Sequence, residues 1–240
     1  MPELTIRPGV LEVASAFPDP PFEIEIDGTD SGFDAELMQS ICRSLGLTWR
    51  LIKYTGDNFN GIFDGLADGR YDAVISGTTI TPAREQVALF SAPYLEFNQG
   101  LAVNVARTPH IKSITDLRGQ IVGIQAGNTS DIVARKLLAD GAIRDIKYYP
   151  YHGITDALDD LVAGGIGALI KLSPVVSWLV KDRRELAVVQ EIPTHEKLGI
   201  AFAKTNTELC AAVNKVLADM KGRGAFDALC RKWLGQPQKA

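Results

Sequence analysis

Apolar runs rich in β-branched and aromatic residues recur along the chain: VLEVASA, LTWRLIKY, YDAVISG, GLAVNVA, QIVGIQAG, IKYYPY, GALIKL, LAVVQEI and LGIAFAK. Most are separated by stretches of helical period. In FDAELMQSICRSLG, Phe33, Leu37, Ile41 and Leu45 recur every fourth residue and Gly46 supplies the stop. Strands that alternate with helices pair in parallel and are covered on both faces, so the pattern predicts an α/β fold. The alternation runs twice, over roughly residues 10–90 and 120–190, and the chain closes with two helices in TELCAAVNKVLADMKGRGAFDALCRKWLG, joined at Gly222 and Gly224. Two such runs predict two lobes, each a mostly parallel sheet flanked by helices. The strand-like connections EFNQGLAV and IPTHEKLGIAF serve as a two-stranded hinge between them.

With 240 residues there is ample length for two cores. Charge is nearly balanced, 25 basic against 29 acidic side chains, which disfavours a nucleic-acid surface because phosphates call for a basic excess. No run reaches the roughly 18 to 20 apolar residues of a membrane span. The opening MPELTIRPGV lacks the basic start and apolar middle of a secretory leader, which fits either a cytoplasmic chain or a trimmed one. Cys42, Cys210 and Cys230 are too few and too scattered for a disulfide scaffold or a zinc site. Cys210 and Cys230 fall in adjacent predicted helices and either pair in an oxidising compartment or stay as two buried thiols.

Chemistry concentrates in ISGTTITPAREQ, residues 75–86. In parallel α/β sheets ligands sit beyond the carboxyl ends of strands, and SGTT occupies that place after Ile75. Gly77 lets the backbone approach a ligand, Ser76 and Thr79 bring hydroxyls, and Arg84 brings a permanently charged planar fork suited to a carboxylate. The same residues also spell an ordinary helix start, with Thr81 as N-cap, Pro82 at the first position and Arg84 directed to solvent. A second turn of this kind, VGIQAGNTSDIVARKLL, ends a strand at Gln125, turns at Gly127 and opens a helix around Asn128 to Ser130. Free backbone N–H groups and the helix dipole there favour an anion.

Taken in register, PPFE, SGFDAELMQSICRSLGL, GIFDGLADGRYDAVISGTTITPAREQVALFSAPY, IKSITDLRGQIVGIQAGNT, DALDDLVAGG and the closing helices resemble the family 3 extracellular solute-binding proteins of polar amino acid ABC importers. The resemblance implies a type II periplasmic binding fold, with residues 1–98 and 195–240 in lobe 1 and 99–194 in lobe 2. It further implies a periplasmic or extracellular monomer that closes over a small carboxylate and docks on a membrane ABC permease, with neither cofactor nor metal. By that resemblance Arg84 clamps the ligand's α-carboxylate, helped by Thr79 and the backbone of Thr129. The Gly77 carbonyl receives the α-ammonium, Phe59 lines the side-chain pocket, and Phe17 lies in the loop where an aromatic covers the ligand.

One departure stands out. Where the family pattern places an aspartate that binds the α-ammonium, GGIGALIKLSPVV has Leu172. A buried ammonium without a carboxylate is costly by several kilocalories per mole, so the sequence predicts a ligand whose α-amine is absent or masked. Lys171, by strand alternation, points away from Leu172. Asp19, where the family often has an aromatic, reads as an exposed loop carboxylate. Two other uses of the fold compete with transport: a sensory domain of a receptor kinase, and a dehydratase acting on prephenate-like acids. The second needs a positioned general acid, and none is evident, so no catalytic residue is assigned.

Overall fold

The computed structural model describes residues 4–235; the QPQKA tail, read from the sequence as a disordered end, lies outside them. In chain order the strands are β1 Val10–Ser15, β2 Ile24–Ile26, β3 Thr29–Ser31, β4 Thr48–Lys53, β5 Ala73–Val74, β6 Leu89–Phe90, β7 Leu95–Asn104, β8 Ile121–Gln125, β9 Asp145–Tyr149, β10 Ala168–Leu172, β11 Leu186–Leu198 and β12 Ala201–Phe202. The α-helices are α1 Phe33–Leu45, α2 Asp64–Ala67, α3 Pro82–Val87, α4 Ser130–Ala139, α5 Ile154–Ala163, α6 Ser173–Val180, α7 Thr207–Gly222 and α8 Ala225–Leu234.

The chain divides into two compact units. Among the described residues, unit 1 takes those up to Thr55, Asn60–Glu96 and those from Lys197; unit 2 takes Gly56–Phe59 and Phe97–Glu196. The short segment 56–59, which carries Phe59, is therefore grouped with unit 2, away from its sequence neighbours.

Unit 1 holds a five-stranded sheet in the order β4-β1-β5-β12-β6. The parallel pairing expected from the β-α alternation is present in β4-β1-β5, with Val10 opposite Thr48 and Val13 opposite Ala73. β12 is antiparallel to β5 and β6 because it re-enters from the far end of the chain rather than through a crossover helix. α1 follows the sequence reading closely: Phe33, Leu37 and Ile41 are fully buried, and Gly46 ends the helix in the left-handed conformation that lacks a Cβ penalty. Phe33 packs edge-on against Phe22 and Phe226, so the C-terminal helix α8 is anchored to α1. Cys42, Cys210 and Cys230 are all buried thiols.

Unit 2 holds a second sheet, β11-β7-β10-β8-β9, with β10, β8 and β9 parallel and β7 antiparallel to β10. Its central strands β10 and β8 and the second half of β7 are buried on both faces, and the period of two sorts their side chains cleanly. Leu101, Val103, Val122, Ile124, Ala168 and Ile170 pack with Ala134 and Leu137 of α4. Ala102 and Leu169 turn the other way, onto Ala157, Leu158 and Leu161 of α5 and Val176 of α6. This sorting fixes which side chains emerge on which face at the carboxyl ends of these strands.

Candidate functional site

In unit 1 the candidate site is built on the turn that follows β5. Ser76 Oγ accepts from the Ala16 amide at 3.2 Å, tying the turn to the end of β1. Gly77 has φ of 50°, and a Cβ there would lie 3.1 Å from the Phe22 ring, so glycine is favoured by conformation and by a tight fit. The Gly77 amide donates to Asp34 Oδ2 at 2.7 Å, and the Tyr94 hydroxyl donates to both Asp34 oxygens at 2.9 and 3.1 Å. Asp34 is fully buried. That burial, opposed by the hydrogen bonds from Gly77 and Tyr94 and reinforced by the Asp19 charge, raises its carboxyl to about 7. Glu23, equally buried, is raised well above its ordinary value by burial first and by the charges of Asp34 and Asp19 next.

Arg84 sits in α3 as the capping signal predicts: Thr81 is the N-cap, its side chain accepting from the Arg84 amide at 3.2 Å, and Pro82 opens the helix. The side chain, however, is not directed to solvent. Arg84 is only 7% exposed; its Nε donates to Asn60 Oδ1 at 3.1 Å and its Nη1 to the Thr79 carbonyl at 2.9 Å. The guanidinium carbon lies 5.4 Å from the centre of the Phe63 ring. These contacts hold the planar fork in one orientation. The helix-start reading thus holds for the Arg84 backbone, while the side chain that this reading directed to solvent is buried.

Two further unit 1 residues lie in the first loop. The Phe17 ring receives the Lys53 ammonium at 4.1 Å from its centre, and Lys53 in turn pairs with Glu25 and Asp30. Asp19 is not an exposed loop carboxylate: it is 7% exposed, because its amide and carbonyl pair with the backbone of Glu23 and draw the loop inward.

In unit 2 the carboxyl ends of the strands present two clusters, one on each face of the sheet. On the α5/α6 face Lys171, 3% exposed, donates to Gln125 Oε1 at 2.6 Å. Its ammonium lies 5.4 Å from the centre of the Tyr151 ring. Tyr151 packs on Phe59 with ring centres 5.2 Å apart, and the Phe59 amide donates to the Ala126 carbonyl at 3.1 Å. Asn128 Nδ2 also donates to Gln125 Oε1, at 3.3 Å. On the α4 face Leu172 stands opposite Gln99 in the β10/β7 register, and Thr129, at the N-cap of α4, gives its hydroxyl to Glu196 Oε2 at 2.6 Å. Gly127 makes the preceding turn with φ of 82°. Lys171 and Leu172 therefore leave opposite faces, as alternation requires.

Sequence reasoning did not single out Asp34, Gln99, Gln125, Tyr151 or Glu196. Gln125 closes the QIVGIQAG strand and was within reach of the strand-end rule; Gln99 and Glu196 are 97 residues apart and no local signal joins them. Among the described residues no group of three or more His, Cys, Asp or Glu side chains could hold a metal ion, and no helix is long and apolar enough to cross a membrane.

Comparison with known proteins adds four findings. The model of the bacterial extracellular solute-binding proteins, family 3, matches residues 11–236. The chain is similar to the putative ABC transporter arginine-binding protein 2 of Escherichia coli strain K12, with 31% identity over 221 residues, 90% of this chain and 86% of that protein. Among solved structures it resembles an ancestral arginine-binding protein bound to arginine, with TM-score 0.86 and 33% identity over 95% of this chain and 99% of that one. It also resembles the ancestral amino acid-binding protein AncCDT-1, a precursor of cyclohexadienyl dehydratase, with TM-score 0.83 and 32% identity over 94% and 95% of the two chains.

Proposed function

The chain belongs to the bacterial extracellular solute-binding proteins of family 3, and from that premise we propose that it binds a small carboxylic acid of the amino acid or amino-acid-derived class for an ABC importer. The observation that carries this reading is the buried, pre-oriented guanidinium of Arg84. A permanently charged fork held by an amide oxygen, a carbonyl and an aromatic face is ready to receive a carboxylate by two parallel hydrogen bonds, without first having to be ordered. Thr79 lies beside it in sequence and structure, its carbonyl already engaged by the arginine. On unit 2, the turn at Gly127 and the N-terminus of α4 at Thr129 offer backbone N–H groups and a favourable dipole to the same kind of group.

The rest of the ligand falls to the remaining residues. Phe59 and Tyr151 supply apolar surface, with Asn128, Gln125 and Lys171 as polar neighbours that set orientation. Phe17, half-buried under Lys53, contributes from the first loop. Leu172 carries no charge, so whatever receives an amine on the ligand is another residue. The protein acts as an extracytoplasmic monomer that delivers its ligand to a membrane permease. Binding without turnover is the reading favoured by its relatives: the E. coli protein and both ancestral structures are named as binding proteins, AncCDT-1 included.

Isothermal titration calorimetry of the purified chain against L-α-amino acids and small organic acids tests the proposal. Saturable one-to-one binding of at least one carboxylate, abolished by its methyl ester, is the expected result. Binding of the ester as tightly as the acid defeats it.

A further inference from the structure

Leu172 brings no carboxylate to the end of β10, but the two elements that flank it hold one. The sheet order is β11-β7-β10-β8. On one side of β10, Gln99 of β7 faces Leu172 in the antiparallel register, so their side chains leave the same face. On the other side, the chain leaving β8 reaches Thr129 at the N-cap of α4. Glu196, on β11, bonds to both flanks: Gln99 Nε2 donates to its Oε1 at 2.6 Å, and the Thr129 hydroxyl donates to its Oε2 at 2.6 Å. Gln99 Nε2 also lies 3.2 Å from Thr129 Oγ1, closing the triangle. The Glu196 side chain, 8% exposed, thus joins the two flanks of the β10 end.

A second observation says what this arrangement is ready to receive. Gln99 Oε1 is buried and has no hydrogen-bond partner, and buried acceptors in folded proteins are rarely left so. The other end of the same amide is committed to Glu196, so the amide cannot turn round without placing two acceptors face to face. A carbonyl oxygen awaiting a donor, next to a carboxylate, is complementary to a group with several N–H donors and a positive charge.

We infer that Glu196, together with Gln99 Oε1, receives the α-ammonium of the ligand in this chain, supplying from β11 the carboxylate that Leu172 does not bring to the end of β10. The inference rests on the reading that an amino-acid-class carboxylate is the ligand. It changes the expectation drawn from Leu172 alone, since the charge lost at the end of β10 is present two strands away, and it makes Glu196 a specificity-determining residue that selects ligands with a free α-amine.

The test begins with a thermal-shift screen of the standard L-α-amino acids. The tightest binder and its α-deaminated analogue are then titrated by calorimetry into the wild-type chain, E196Q and the double variant E196Q/L172D. The wild type should prefer the amino acid about tenfold or more, the worth of one charge-assisted hydrogen bond. E196Q should bring the two ligands to within about twofold of each other, and returning an aspartate to position 172 in that background should restore the preference, which a merely structural role for Glu196 would not do. If E196Q does not fold, E196D, which withdraws the carboxylate by one methylene, should reduce the preference. Equal or tighter binding of the deaminated analogue by the wild type overturns the inference. So does a preference that survives E196Q, or tightening of both ligands alike in E196Q, which would mean that Glu196 competes with the ligand's own carboxylate. If small organic acids bind but no amino acid does, the inference alone fails; if neither class binds, the carboxylate reading fails with it.

Discussion

Asp34 Oδ2 accepts the Gly77 amide at 2.7 Å, so a carboxylate on the first turn of α1 holds the loop that leads to Arg84. Burial, reinforced by the charge of Asp19, raises its proton affinity against the hydrogen bonds from Gly77 and Tyr94. Asp34 therefore couples this loop to pH.

The sign follows from proton counts. Asp34 titrates at about 7 in the folded chain and near 3.9 when unfolded, so in between the folded state binds more protons than the unfolded one. Stability contributed by this group is present at and below about pH 4 and is lost progressively as pH rises toward 7. Glu23, raised by burial and by the same neighbours, contributes with the same sign. Urea unfolding followed from pH 4.5 to 7.5, values chosen to bracket about the window above, should show a falling free energy, and Asp34→Asn, which keeps an acceptor for Gly77 and cannot ionise, should flatten the slope. A free energy that rises with pH and is unchanged in slope by the substitution would contradict this assignment.

Arg84→Ala removes the fork and its hydrogen bonds to Asn60 Oδ1 and to the buried Thr79 carbonyl. Losing these two bonds should cost about 1–3 kcal/mol of stability, read as a lowered denaturation midpoint. Ligand affinity should fall by a further factor of about a hundred, the scale of a charge-assisted bidentate contact. Arg84→Lys separates the effects: it keeps the charge and loses the planar geometry, and should recover stability better than affinity.

Much of this was legible from the sequence. α1 announces itself through Phe33, Leu37 and Ile41 and stops at Gly46; Thr81 and Pro82 announce α3; and alternation alone separates Lys171 from Leu172. The β2–β3 hairpin was passed over although Asp27-Gly28, with φ of 50° and 73°, is a strong two-residue turn signal between its strands. Other features leave no local trace. The burial of Asp19 depends on backbone pairing with Glu23, the Phe59–Tyr151 contact joins residues 92 positions apart in a segment grouped with unit 2, and Glu196 meets Thr129 across 67. Periodicity and caps report on neighbours along the chain, whereas these depend on which strand ends the sheet brings together.

Gly77→Ala tests whether the loop tolerates a side chain. The substituted residue would have to hold φ of 50° with its methyl 3.1 and 3.2 Å from the Phe22 ring, which is itself fully buried and packed on Phe33. A left-handed non-glycine residue costs about 1–2 kcal/mol, and the ring cannot retreat without disturbing the core of unit 1. Calorimetric unfolding should show a loss of at least that size, together with weakened ligand binding as the Arg84 loop shifts. An unchanged midpoint would mean that the turn relaxes to negative φ.

Phe59 separates packing from recognition. Its ring is 3% exposed and lies 5.2 Å from that of Tyr151, and its amide is bonded to Ala126, so Phe59→Ala should lose about 3–5 kcal/mol of stability through the cavity left behind. Phe59→Leu fills most of that volume and should cost about 1.5 kcal/mol or less. If the ring also lines the ligand's side-chain pocket, the leucine variant should still rank amino acids differently from the wild type in a thermal-shift panel, since an aromatic face has been exchanged for a branched aliphatic one. A ranking identical to wild type, with only a small loss of stability, would assign Phe59 to the packing of unit 2 alone and remove it from the binding surface.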